Sequence, residues 1–430
     1  MAKKKKKVEK PTREMTRRQL SQFQRQKRRQ RITFLTGTAI IAAVVLIVLV
    51  GWLVGEFIPM HKTIIQVGDS SFNTGYYIDM MKLSAQNEPP ERMQVVASNT
   101  ARQIEQMALI KLGAAKLGIK VSDEEAEKIV KEAGLPVNDA TIDYARSQML
   151  QEQLVKNHFD AQVPESDKQV HIMTMLLESQ RQADDIRSRL LSGDNFTALS
   201  EEFALNYYSK EVNKGDFGWH PETILLEMLG SSVPVDYAFG SEPGTLSQPL
   251  LDEEMYKQVG YWLIRVLEQQ YEEEAQVQGI FSASEEEAES LKARLEAGED
   301  LAALAEEYSH YSPSREQGGE LGLVTPQEIS EAFDGYVFGP EMEIGVWSEP
   351  VRDDTYWSQG GYWLVKVVDK ADDRELSKED RDRLISAAFE DWASGLWIEY
   401  AAEIDDRGLD AEVQQLVVDR VLEDLGQSER

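Results

Sequence analysis

The groups able to do chemistry are few and scattered. Five histidines (His61, His158, His171, His220 and His310) are the side chains whose charge ordinarily changes near neutral pH, and there is no cysteine at all. No pair of histidines stands in H-E-x-x-H, the spacing that puts two metal ligands on one helix face, so no metal site is expected. The chain has no G-x-S-x-G elbow, no Walker loop and no G-x-G-x-x-G after a strand, which argues against serine hydrolases and nucleotide-driven enzymes. Without cysteine there is no thiolate nucleophile, no disulfide framework and no lipidated N-terminal Cys. What remains is His171 in VHIM (170–173), a β-prone run. One His on a strand is either a core residue satisfied by its neighbours or one member of a polar network completed from elsewhere in the fold.

The elements that must position such a residue follow from charge and hydropathy. The 430 residues hold 46 Lys+Arg and 76 Asp+Glu. Residues 1–31 contain 14 of the basic residues and only Glu9 and Glu14 of the acidic ones, leaving 32 basic against 74 acidic residues in the rest. An acidic body of that size repels phosphate backbones, so nucleic acid is not expected as a partner. Between the basic tail and the body lie 24 uncharged residues, Ile32 to Gly55. About 20 apolar residues cross a bilayer as a helix, and the stretch is longer than a signal-peptide core. GEFIPMHK (55–62) offers no small-x-small cleavage site, so an uncleaved single-pass anchor is expected, with Trp52 at one interface. Lys3–Lys7 and Arg25–Arg31 place the tail in the cytoplasm and residues 57–430 outside the cell membrane.

Outside the membrane, KTIIQVGDSSF (62–72) reads as a short strand and turn, followed by helices over about 74–86, 90–117, 122–133 and 138–160. Ser122 with Glu125 forms a capping box, and Gly134-Leu135-Pro136 ends that helix. Met93, Val96, Ala97, Ile104, Met107, Ala108 and Leu112 make one apolar stripe that needs a partner. A second stripe, Leu384, Ala388, Trp392 and Leu396, lies near the C-terminus, so the two ends are expected to meet in an all-α body. Between them the chain repeats itself. ADDIRSRLLSGDNFTALSEEF (183–203) matches AESLKARLEAGEDLAALAEEY (288–308), with Gly193/Gly298 and Glu201-Glu202/Glu306-Glu307 among the identities. GDFGW (215–219) pairs with GELGL (319–323), and YWLIRV (261–266) with YWLVKV (362–367). A period near 100 residues is a duplicated domain rather than a solenoid unit. Strand, two helices, Gly turn, short helix and closing strand give an α+β domain with a small antiparallel sheet.

The repeat, a helix ending in Gly, then F/L-x-x-L-A/S-x-x-F/Y, then G-D/E-F/L-G and an aliphatic closing strand, resembles the parvulin-type peptidyl-prolyl isomerase domain. The layout over about 62–405 resembles the extracytoplasmic foldases PrsA and SurA, in which terminal helices form a chaperone module around parvulin domains. Charge and hydropathy give residues 1–31 as cytoplasmic tail and 32–55 as transmembrane helix, an uncleaved anchor that departs from both families, and the resemblance implies 56–165 as helical chaperone domain. It further implies parvulin-like domains at 166–270 and 271–370, and C-terminal helices at 371–430 that pack on the N-terminal domain. It also implies unfolded or nascent secreted and envelope polypeptides as partners, and no cofactor. In the family two histidines, on the first and last strands, share a network with a Cys or Asp. Here the first-strand His would be His171 in copy one and is Gly279 in copy two. The Cys/Asp position falls at Asn206, or at Tyr207 with a one-residue gap, and near Tyr311 or Ser312 in copy two. The last-strand His is replaced by Trp262 and Trp363. Val235 and Phe239, and Phe333 and Phe338, are the implied apolar pocket. His171 and Asn206 are thus the catalytic candidates. Val235, Phe239, Trp262, Phe333, Phe338 and Trp363 are the substrate-binding ones. Asn206 reads equally as a turn residue, and the tryptophans as core residues or as groove-lining contacts for apolar segments. With the polar network so depleted, weak or lost isomerase activity is expected. The alternative is a non-catalytic holdase or a scaffold of an envelope complex.

Overall fold

The computed structural model describes residues 17–86, 88–270 and 274–426. The lysine run Lys3–Lys7 lies outside the described residues. The chain divides into two compact units, residues 1–158 with 389–430, and residues 159–388.

In the first unit helix α1 (Arg17–Trp52) runs without a break from the basic segment into the apolar one. The helical stretch Phe34–His61, with mean hydropathy 2.7 and its most apolar window not buried against protein, is long and apolar enough to cross a membrane. After α2 (Ile58–His61) the chain forms the hairpin β1 (Thr63–Val67) and β2 (Ser70–Asn73), turned at Gly68 with φ +55°. The helices α3 (Thr74–Ala85), α4 (Met93–Lys116), α5 (Asp123–Glu132) and α6 (Asp139–Leu154) follow close to their expected spans. The capping box at α5 is present: Glu125 N donates to Ser122 Oγ, and Ser122 N to the Glu125 carboxylate at 2.9 Å.

The two chain ends share one core. Met93, Val96, Ala97, Ile104, Met107 and Ala108 pack with Leu396, Tyr400, Val417, Val418 and Val421. The module is not wholly helical as expected. The C-terminal strand Ile404–Asp405 pairs antiparallel with β1, opposite β2, and makes a three-stranded sheet. This strand is only two residues long, below what periodicity can register. It approaches closely because Gly408 lacks a side chain; a Cβ there would lie 2.6 Å from Ile64 Cα. Gly113 of α4 serves the same end, since its Cβ would meet the Trp392 ring at 2.6 Å and Leu396 at 2.9 Å. Gly113→Val should therefore destabilise the unit by about 1–3 kcal/mol through overpacking, read as a lower urea midpoint.

The second unit holds both copies. Copy one begins with β3 (Ser166–Leu177), α7 (Gln180–Leu191) and α8 (Phe196–Phe203). It continues through β4 (Asp216–Pro221), α9 (Glu222–Leu229), α10 (Ser232–Gly240), β5 (Leu250–Lys257) and β6 (Gly260–Gln270). Copy two repeats the plan with β7 (Glu274–Ser282), α11 (Glu285–Glu296), α12 (Leu301–Tyr308) and α13 (Ser312–Glu316). It ends with β8 (Glu320–Val324), α14 (Glu331–Val337), β9 (Val351–Asp353) and β10 (Ser358–Glu375). The local signals recur at matching places. Ser179 and Ser284 cap α7 and α11, and Gly193 and Gly298 follow them at φ +105° and +88°.

Each copy forms a four-stranded antiparallel sheet, yet the copies are not consecutive. The sheet orders are β4-β3-β10-β5 and β8-β7-β6-β9. The closing strand of copy one, β6, lies between β7 and β9 of copy two, and β10 lies between β3 and β5 of copy one. The expected boundary at 270/271 thus falls between two strands that pair with each other along their length. By strand pairing, residues 260–353 are nested between β5 and β10. The reading by chain order missed this because YWLIRV and YWLVKV present the same side chains to either sheet.

Candidate functional site

The sheet register fixes which residues occupy equivalent places. Thr174 lies opposite Val365, and Gly279 opposite Ile264. Leu176 opposes Trp363 as Phe281 opposes Trp262. Thr174 and Gly279 are therefore counterparts, and their amides donate to Gly215 O and Gly319 O, each at 2.9 Å. His171, which opposes Asp369, corresponds to Gln276, which opposes Glu268, and not to Gly279. The 105-residue shift of the helices already contained this alignment; pairing His171 with Gly279 ignored it by three positions.

His171 also points the wrong way. Val170, Ile172 and Leu176 share a core with Val235, Trp363 and Val365, lined in part by Phe239. Met175 and Leu177 pack on the other face against α7 and α8. Side chains alternate along a strand, so His171 belongs to the face opposite Val235. Its Nε2 lies 2.7 Å from Asp216 Oδ1, beside Trp219 at 6.0 Å between ring centroids. Asn206 accepts the amide of Leu176 through Oδ1 at 3.2 Å, about 16 Å along β3 from His171 at ~3.3 Å per residue. Trp262 is in the other sheet. The three do not line a common concave face.

Trp262 and Trp363 are completely buried and are core residues rather than groove-lining ones. Each indole N–H donates to a carboxylate: Trp363 to Asp252 Oδ2 at 3.0 Å, Trp262 to Asp353 Oδ2 at 2.9 Å. Each carboxylate also accepts a serine hydroxyl, from Ser231 at 2.6 Å and from Ser330. Both carboxylates accept further backbone amides, from Glu254 and Met255 and from Thr355. Burial works to raise the pKa of Asp353, but the hydrogen bonds from Ser330, Thr355 and Trp262 outweigh it and hold the carboxyl below its ordinary value. This Ser–Asp–Trp arrangement was not legible as a motif, because its members lie on three separate elements.

The apolar candidates fall around these tryptophans. Val235 and Phe333 are fully buried, and Phe239 and Phe338 partly so. Because the closing strands are exchanged, Val235 and Phe239 stand with Trp363, and Phe333 and Phe338 with Trp262. Copy two packs Trp262 in an aromatic box, with Phe281, Phe333 and Tyr311 at 4.9, 5.0 and 5.1 Å and Tyr356 behind. In copy one the first-strand position keeps a polar group. The Thr174 hydroxyl is buried without a hydrogen-bond partner, as is that of Ser209. Ser314, the counterpart of Ser209, donates to Gly279 O at 2.6 Å. Among the described residues no group of three or more His, Asp or Glu is arranged to hold a metal ion.

Comparison with known proteins gives the class. Residues 272–369 match the rotamase family, the PPIC-type PPIase domain. SurA of Chromohalobacter salexigens is 24% identical over 339 residues, covering 75% of this chain and 68% of that protein. Foldase protein PrsA 4 of Bacillus cereus is 35% identical over 109 residues, covering 25% of this chain and 36% of that one. PrsA of Geobacillus kaustophilus is 29% identical over 156 residues, covering 36% and 47%. The chain spans less than half of those two PrsA proteins. A crystal structure of PrsA from Bacillus anthracis aligns over 76% of this chain and 98% of that one, at 11% identity and TM-score 0.26. Residues 272–369 are thus similar to the parvulin-type peptidyl-prolyl isomerase domain, and the chain is similar to the foldases PrsA and SurA. The rotamase match follows chain order, so its last strand, β10, is the one that lies in the other sheet.

His310, next to Tyr311, is held neutral. Burial, aided by the charges of Lys257 and Arg315, pushes it down to about 4, and its Nδ1 accepts the Gln359 amide at 3.4 Å. The unfolded chain takes up this proton near 6.5, so between about 6.5 and 4 acidification favours unfolding. His310→Gln should flatten the pH dependence of the urea midpoint across that window and leave it unchanged above pH 7.

Proposed function

We propose that the protein is a membrane-anchored extracytoplasmic foldase that holds unfolded secreted or envelope polypeptides and has weak or lost isomerase activity. The observation that carries this is the pair of closing-strand tryptophans, sealed in the two cores and bonded to Asp252 and Asp353. Lowering the prolyl barrier of about 18–20 kcal/mol requires groups that favour the twisted amide over both planar forms. The first-strand positions hold Thr174 and Gly279, and His171 lies on the face away from the apolar residues. Copy two therefore has no polar side chain at its first-strand position, and copy one has only the Thr174 hydroxyl, with that of Ser209 also unpartnered. Phe239 and Phe338, partly exposed at the edges of these cores, are the proposed apolar contacts.

Binding without catalysis is favoured by the helical module. A groove of about 570 Å³ between α5 and α6 is lined by Ile129, Ala133, Leu135, Tyr144, Met149 and Val155. Such a surface suits extended apolar segments of varied sequence. The anchor reading rests on the apolar helix Phe34–His61 and on the basic residues ahead of it, which favour the cytoplasmic side.

Full-length protein in nanodiscs should suppress aggregation of a denatured secreted client. It should leave a proline-limited refolding rate at the buffer value, and His171→Ala should change neither result. A clear acceleration that Thr174→Val or His171→Ala abolishes would overturn the non-catalytic reading.

A further inference from the structure

The two copies are joined more intimately than tandem domains. We propose that they form one interlocked element in which each copy completes the sheet and the buried core of the other, so that they fold and open together rather than as two hinged modules. This inference stands on strand pairing alone and is independent of any client.

Both sheets have their closing strand at an interior position, so neither has a continuous sheet without the other copy's chain. Trp363, Val365 and Val367 fill the core of copy one, and Trp262, Ile264 and Val266 that of copy two. The backbone fits as closely as the side chains. A Cβ on Gly260 would lie 2.3 Å from Phe281 of copy two, and one on Gly361 2.9 Å from Leu176 of copy one.

Sequence identity of the strands does not choose this pairing, because Trp262 and Trp363 would find an Asp and a Ser in either sheet. The connections choose it. Only Gln258 and Val259 separate β5 from β6, and neither is a residue that two-residue hairpins favour, so folding β6 back onto β5 is disfavoured. Three residues separate β6 from β7, so these two pair along their length as a hairpin of low loop-closure cost.

Where the two connections cross, polar groups tie them. Lys257 is buried and its Nζ donates to Gly360 O, while Ser358 Oγ donates to Val259 O. Tyr261 OH donates to Glu178 at 3.1 Å and accepts from Arg352 at 3.0 Å, so copy one's first strand is linked to β6 and β9. Breaking these buried bonds singly leaves unpaired groups, which resists piecemeal separation of the copies.

The chain has no cysteine, so engineered pairs report the pairing directly. Met173 opposes Lys366 and Gln278 opposes Arg265, on the sheet faces turned towards α7 and α11. Opposed Cα atoms about 4.5–5.5 Å apart lie within disulfide reach. In full-length protein, oxidised M173C/K366C and R265C/Q278C should each form an intrachain disulfide, found by non-reducing gel and peptide mass spectrometry. M173C/R265C should not. An intrachain 173–265 bond, or a 173–366 bond found only between chains, would overturn the proposal. As a second measurement that leaves the strands intact, Trp363→Phe should raise hydrogen exchange in residues 166–257 and in 274–353 together. An increase confined to either copy would overturn it equally.

Discussion

The indole–carboxylate–hydroxyl bond at the closing strand of each sheet is what the second unit depends on. A buried carboxylate is tolerable only when its oxygens are supplied with donors, and here each receives an indole N–H, a serine O–H and backbone amides. The donors come from three places: the closing strand, the helix start at Ser231 or Ser330, and the backbone just after the aspartate, within β5 at Glu254 and Met255 or past β9 at Thr355. One bond set therefore fixes the closing strand, the helix start and the aspartate's own segment relative to one another. The sheet register, the packing of Val235 or Phe333 against the tryptophan, and the edge positions of Phe239 and Phe338 all follow from it.

What this bond supplies is packing order. Each tryptophan makes its closing-strand position a structural one, with the aspartate as its hydrogen-bond partner in the core. Folds persist through packing while chemistry lives in a few side chains. Copy two carries this furthest, with Gly279 on its first strand and an aromatic box around Trp262. Copy one retains the Thr174 and Ser209 hydroxyls, buried and unpartnered, where its twin has settled Ser314 onto Gly279 O.

Much of this was legible without coordinates. Charge segregation and 24 uncharged residues are one-dimensional properties, and they announce the apolar helix by length alone. The capping box of α5, the apolar stripe of α4 and the Gly ends of α7 and α11 are short-range signals, each decided within one or two turns of chain. The meeting of the two ends was readable because two unpartnered stripes demand each other. The candidate site was less legible. His171 looked like the first-strand His by residue type, but on a strand a three-residue offset changes the face, and residue type carries no register.

By its own residues, then, the chain determined which segments are helix, strand and membrane-length helix, and that one domain is written twice. Tertiary structure alone decided which closing strand completes which sheet, which face His171 takes, and that the tryptophans are sealed away. The reason is that β6 and β10 offer nearly the same side chains to both sheets. The short connection hands β6 to the neighbouring β7, while β10 is left to pair with β3, far away in the chain, a partner that no local pattern records.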